Sequence, residues 1–218
     1  MAARSLARAR PAHAGAAAAQ ELGTLRDLRR AQIVAESRRI VAEEGVSALT
    51  ISTLEGRLPF SRGVITHHFR DKAEIVEAVL QSAVSDIDAG TAAGLRAPLD
   101  LVGRVRAVLG SKVRGFLDKP EATRVLVSFW GQLGDPRATV ANAALFRRYR
   151  SESKKLFAHA VKTGEARADL DPAVAAALLV GAVLGIVSQA MFEPGAFDVA
   201  TAIDAGAAQI AAWAALRR

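Results

Sequence analysis

The stretch SRGVITHHFRDK, residues 61–72, sets two of the chain's four histidines side by side. On a helix each residue advances about 100° around the axis. With Arg62 at zero, Thr66, Gly63 and His67 fall at about 40°, 100° and 140°, while Val64, His68, Ile65 and Phe69 lie between about 200° and 340°. A helix this short is not stable alone and must dock its Val64, Ile65 and Phe69 side on neighbours. What then faces outward is a cation, a bare backbone, a hydroxyl and an imidazole. That surface can approach a major groove closely, with Arg62 donating to guanine or phosphate and Thr66 and His67 offering base-edge or phosphate contacts.

Other chemistries fit these histidines poorly. Metal-binding histidines on one helix are spaced i, i+3 or i, i+4, whereas sequence neighbours diverge by about 100°. His13 and His159 belong to other elements and the chain has no cysteine, so no metal and no cofactor is expected. No nucleophile or carboxylate is placed for catalysis, since Asp71 reads as a helix cap, and the chain is not read as an enzyme. His68 reads as a partly buried structural residue with a satisfied ring nitrogen.

Working outward, Thr50 can cap a short helix carrying Ile51, Leu54 and Leu58, which Pro59 interrupts. Ser61 can cap the next. Two short helices joined by a tight turn, the second bearing the polar face, make a helix-turn-helix. Upstream, Leu25, Leu28, Ile33, Val34, Ile40 and Val41 recur near helical spacing until Gly45 stops the helix. Downstream, Asp71 and Glu74 form a capping box opening a long helix with Ile75, Val76, Val79, Leu80 and Val84 on its apolar side.

Helical patterns continue over 98–117, 121–132, 137–163, 172–192 and 198–216, separated by turn signals such as Asp118-Lys119-Pro120 and Glu193-Pro194-Gly195. No alternating strand pattern and no repeat of domain-building length is visible. The fold expected is all-α with about nine helices. A three-helix helix-turn-helix DNA-binding domain would span 25–72, and a larger helical effector-binding and dimerisation domain 73–218. Residues 1–24 carry Arg4, Arg8 and Arg10 with no acid before Glu21. Their alanines are too interrupted for a secretory signal, so they read as a disordered basic arm.

Composition agrees. Hydrophobic residues make up 51% but aromatics only 5%, a mix that suits helix on helix. A net charge of +7 and a pI near 10.5 favour a polyanionic partner, nucleic acid before anionic lipid. Lack of cysteine excludes disulfides and is compatible with the reducing cytoplasm, the compartment expected. Residues 172–192 hold no charge for 21 positions, enough to span a bilayer, but their alanine and glycine content suits a helix buried between subunits equally. A membrane-associated protein with 172–192 inserted is the alternative to a soluble regulator.

Residues 26–80 resemble the DNA-binding region of the TetR/AcrR family of bacterial repressors. The text that carries it is IVAESRRIVAEEGVSALTISTLEGRLPFSRGVITHHFRDKAEIVEAVL, with Gly45, Thr50, Ser61, Gly63, Ile65, His67, Phe69 and Lys72 at the family's positions. SRGVITHHFRDK is similar to the betaine-pathway, choline-responsive branch. Departures are Leu54-Glu55 for the usual Ile-Ala, Leu58-Pro59-Phe60 for Ala-Gly-Val, and Thr66 and His68 for common tyrosines.

The resemblance implies a homodimer whose recognition helices enter successive major grooves of a near-palindromic, double-stranded operator and release it when a small-molecule effector binds. It places Arg62, Gly63, Thr66 and His67 on bases or backbone, and Thr50, Ser61 and Lys72 on phosphates. Residues 172–192 and 198–216, with Val199, Ile203, Ile210 and Trp213, are apolar enough to pair with their symmetry mates in a four-helix interface. The effector is unknown. An aromatic-lined cavity would draw on Phe116, Phe129, Trp130, Gln132, Phe146, Tyr149, Met191 and Phe192. With one tyrosine and two tryptophans in the chain, an aromatic box for a quaternary ammonium is thinly provided.

Overall fold

Helix formers and punctuation divide the chain into nine α-helices among the described residues, with no strand. They are α1 (Ala12–Glu44), α2 (Ile51–Arg57), α3 (Arg62–His68), α4 (Lys72–Ala89), α5 (Leu101–Leu117), α6 (Pro120–Trp130), α7 (Pro136–Lys162), α8 (Pro172–Phe192) and α9 (Val199–Ala215). A 3₁₀ turn, Val46–Ala48, links α1 to α2. The structure is a computed structural model that describes the backbone of residues 12–89, 100–132, 134 and 136–215, with side chains from Thr24 onward except at 88, 89, 137, 138 and 141.

Local chemistry explains the boundaries. Pro120, Pro136 and Pro172 each open a helix, where a missing N–H costs nothing. Asp100 and Asp171 accept from the backbone N–H groups of Gly103 and Ala173, both at 2.7 Å. Gly45 ends α1 at φ 85°, a left-handed conformation that L side chains rarely adopt, and so turns the chain toward α2. At the other end α1 reaches back to Ala12, further than the arm expected over 1–24, because AHAGAAAAQ is rich in the best helix former and extends the helix N-terminally. Arg4, Arg8 and Arg10 lie outside the described residues.

One continuous core runs from Ile33, Ile40 and Val41 of α1 through Leu54, Ile65, Phe69, Ile75 and Val79, and on to Val113, Phe116, Phe129, Phe157, Leu179 and Ile203. α1 packs on α4 and α6, and α4 packs on α6. α5 lies against α8 and α9, and α7 against α8. Helices α4 and α6 therefore sit between the helix-turn-helix and the rest of the bundle. α8 buries Ala175, Ala176, Leu179, Val180, Val183 and Val187, while Val174, Leu178 and Phe192 are 49%, 48% and 79% exposed.

Candidate nucleic-acid interface and helical-body cavity

α3 is docked by its own sequence pattern. Ile65 and Phe69 are buried and Val64 and His68 half-buried, whereas Arg62, Gly63, Thr66 and His67 are exposed. Cations from α1 hold this arrangement from behind: the Arg30 guanidinium lies 4.2 Å from the Phe69 ring centroid and that of Arg29 5.5 Å from Phe60.

Among the described residues the Arg62 guanidinium makes no hydrogen bond or ion pair, so its five donors face outward unspent. Thr66 donates its hydroxyl to its own helix, at Arg62 O (3.0 Å) and Gly63 O (3.3 Å). It therefore presents a methyl and lone pairs, not a free donor. A Cβ built at Gly63 would meet nothing nearer than Ser61 Oγ at 3.8 Å, so glycine here keeps the outer surface low and does not relieve crowding.

The three expected phosphate holders differ in how far they are already engaged. Thr50 Oγ1 accepts from Thr53 N at 3.0 Å and shares a 2.8 Å contact with Thr53 Oγ1, the cap expected for α2. Ser61 stands at the N-cap position of α3, but its hydroxyl makes no cap bond. Lys72 Nζ donates to Val46 O at 3.2 Å, which ties the start of α4 to the 3₁₀ turn and leaves two ammonium protons outward. Asp71 Oδ1 accepts from Glu74 N (2.9 Å) and Glu74 Oε2 accepts from Arg70 N (3.0 Å), so the expected capping box forms, displaced by one residue on its return bond. That Arg70 N–H holds the Glu74 carboxyl below the usual carboxylate range.

Two features were not foreseen. Glu55, noted only as a departure from the usual alanine, accepts from the backbone N–H of Arg62 at 2.7 Å, so a carboxylate occupies the N-terminus of α3 and turns phosphate away from that donor. The only signal in the sequence was an acid where small residues are usual. His68 is half-buried as expected, but its Nδ1 has no hydrogen-bond partner among the described residues. Burial first, then His67, Arg26, Arg29 and Arg30, push its pKa down.

In the helical body, Phe116 meets Trp130 and Tyr149 edge-on at 6.3 and 6.2 Å, and Trp130 meets Phe146 at 6.2 Å. Phe129, next to Trp130 in α6, is buried, its carbonyl accepting from Asn142 Nδ2 at 2.8 Å. The other expected pocket residues stand apart. Gln132 is exposed and closes α6 through its backbone, Met191 is half-buried, and Phe192 is on the exposed stripe of α8. Among the described residues, Tyr149 Oη and Trp130 Nε1 are buried without a hydrogen-bond partner, and burial pushes the Tyr149 phenol up to about 12. A cavity of about 550 Å³ between α5 and α7 adjoins this cluster, because its lining residue Lys112 places Nζ 4.6 Å from the Tyr149 ring centroid.

A helix-turn-helix with an exposed, groove-sized polar face, carried on a larger helical body, defines the class: a transcriptional regulator. Residues 33–79 match the family of bacterial regulatory proteins named after TetR, and residues 102–215, about half the chain, match the C-terminal region of BetI-type transcriptional repressors. The chain belongs to the TetR family, with a BetI-type C-terminal region. It is 27% identical over 181 residues to the HTH-type transcriptional regulator BetI of Burkholderia thailandensis, covering 82% of this chain and 90% of that one.

Solved structures agree on the fold. A Pseudomonas aeruginosa PAO1 protein described as a transcriptional regulator superposes with a TM-score of 0.76 at 17% identity, over 87% of this chain and 91% of its own. A Saccharomonospora viridis protein, also described as a transcriptional regulator and solved in complex with choline, gives 0.68 at 19% identity, over 84% and 96%. The membrane-inserted alternative finds no support in these relationships.

Proposed function

We propose that this chain is a dimeric repressor that holds a near-palindromic operator through α3 of each subunit and lets go when a small molecule binds its helical body. Residues 25–72 form the DNA-reading part and 73–218 the effector-binding and dimerising part, and the work is done in the cytoplasm. The observation that carries this reading is the sorting of α3: its apolar residues are buried and Arg62, Gly63, Thr66 and His67 are not.

Arg62 and His67 read base edges, Thr66 presents a methyl to thymine or an acceptor to an amino group, and Gly63 lets the backbone approach. Ser61, with a free hydroxyl, and Lys72, with two spare protons, hold phosphates, while Thr50 contributes mainly by fixing α2. Dimerisation uses α8 and α9. Val174, Leu178, Gly181, Gly185 and Phe192 share one face of α8, and Cβ atoms built at the two glycines would meet nothing within 4 Å. A second copy can therefore approach this backbone closely.

The effector site is the aromatic cluster of α5, α6 and α7 together with the cavity beside it. Two buried donors without acceptors among the described residues, Tyr149 Oη and Trp130 Nε1, cost about 1–3 kcal/mol each unless a partner arrives, which supports a ligand there. A gel shift on DNA upstream of the chain's own gene tests the reading. Specific retention should weaken steeply with salt, by about 0.9 in log-log slope per phosphate contacted. No specific retention on any promoter fragment nearby would refute it.

A further inference from the structure

The α5/α7 cavity has a built-in cation in the place where an aromatic ring would receive one. Lys112 is only 7% exposed, and its ammonium both faces the Tyr149 ring at 4.6 Å and donates to Glu152 Oε2 at 2.9 Å. A cationic ligand entering there would meet a like charge at the seat it needs, a repulsion strengthened by the low dielectric of a buried site. The remaining walls are the basic Arg104, Lys155 and His159, the apolar Val108 and Leu156, and the Ser111 hydroxyl; Glu152 is the only acid among them.

Removing the carboxylate from Lys112 with nothing in exchange would strand a buried ammonium, which is costly. Exchange for another carboxylate is not. The Glu152 side chain is 52% exposed and can swing into water, whereas Lys112 cannot follow it. Arg104 is held at the cavity edge by Glu165 at 2.7 Å, and that hydrogen bond keeps the Glu165 carboxyl below its usual range, so this pair stays ionised and in place. Tyr149, with its pKa near 12, remains a phenol at neutral pH and keeps a proton to donate.

We infer that the α5/α7 cavity binds a small organic carboxylate with an apolar body, which displaces Glu152 from Lys112, and that it rejects quaternary ammonium compounds. The carboxylate pairs with Lys112 and with Lys155 at the rim, and its apolar part lies on Val108 and Leu156. A volume of about 550 Å³ is in the range of small-molecule sites. The proposal rests on reading the helical body as the effector-binding part and names the chemistry of what it takes.

Calorimetric titration of the full-length protein with three probes of matched length tests it: octanoate, 1-octanol and octyltrimethylammonium. Octanoate should bind at least tenfold more tightly than either other probe. Lys112→Met should lose that preference, and Lys155→Met, a change on the exposed rim that leaves the melting temperature unaltered, should weaken octanoate several-fold. Glu152→Gln, which removes the internal competitor, should tighten it. Equal or better binding of octanol or octyltrimethylammonium, no octanoate binding to the wild type, or weaker binding to Glu152→Gln would overturn the proposal. Octanoate binding as expected without any change in operator affinity would leave the anion site standing and sink the effector role of the cavity. Failure of octanoate in a protein that still dimerises and retains operator DNA would sink the anion site alone.

Discussion

Arg62 and Lys72 lie ten positions apart in the sequence on the same surface, yet their surroundings assign them different work. Arg62 is unspent on the helix face proposed to enter the groove, so Arg62→Ala should relax specificity at one base pair, costing about 1–3 kcal/mol against the preferred sequence. Lys72 already braces the 3₁₀ turn and has only charge left to give. Lys72→Ala should weaken all DNA sequences alike and lower the salt slope by about one, read from competition gel shifts at several salt concentrations. Equal sequence-dependent losses in both variants would show the roles wrongly divided. His68 adds a pH term on the same helix. Its folded pKa lies below the ordinary 6.5, through burial and then His67, Arg26, Arg29 and Arg30, so the unfolded chain takes up the proton first. Stability is then intact above about pH 6.5 and falls as pH drops through that value toward the lower folded one. In urea unfolding between pH 7.5 and 5.5, His68→Phe should lose part of the wild type's decline; identical declines would mean that His68 does not titrate as its surroundings imply.

At the scale of helices, α8 is the element whose two sides disagree most with a lone subunit. One face is packed on α5, α7 and α9, and the other carries Val174, Leu178, Gly181 and Phe192 to the surface, with Gly185 half-buried between them. Gly181→Leu places a side chain in open space, so the subunit keeps its fold and gains helix propensity of up to about 1 kcal/mol. Sedimentation should nonetheless show dimer giving way to monomer, with operator retention lost, because half-sites must be held together. A Gly181→Leu protein that stays dimeric and binds operator normally would place the interface elsewhere. α8 was also the most legible element, since an uncharged run opened by Pro172 and closed before Glu193-Pro194-Gly195 admits few other boundaries. The start of α1 was less so: arginines and a proline near the terminus read as an arm, while the alanines after Pro11 continue the helix. The polar face of α3 was readable because phase alone sorts exposed from buried on an amphipathic helix. Glu55 on the backbone of Arg62 was not, since a side-chain bond across a turn follows from the angle between two helices, which spacing does not encode. The same holds for the aromatic cluster, where composition named eight residues and packing brought the rings of four of them together.

For the molecule as a whole, the proposed operator release needs a connection from the helical body to the helix-turn-helix, and Arg38 is placed to supply one. From α1 its guanidinium reaches α4 at Ser82 Oγ (2.9 Å) and Asp86 Oδ2 (2.7 Å), and α6 at Glu121 Oε1 (3.2 Å). Helix α6 begins beside Glu121 and is fixed to α5 where Thr123 Oγ1 donates to Phe116 O at 2.6 Å. Phe116 in turn touches Tyr149, on which Lys112 sits, so a shift at the cavity can be handed to α1 through packed groups. The Arg38 side chain is 14% exposed and its acidic partners are about half exposed, so the carboxylates left behind in Arg38→Met can still reach water. The variant should therefore lose only about 1 kcal/mol of global stability in urea. Its larger effect should be on coupling. The ratio of operator affinities without and with a cavity ligand, measured with octanoate or with whichever probe the wild type binds, should fall toward one. A ratio equal to the wild type's, alongside the small stability loss, would reduce Arg38 to a structural clamp and send the search for the connection to the apolar contacts between α4 and α6.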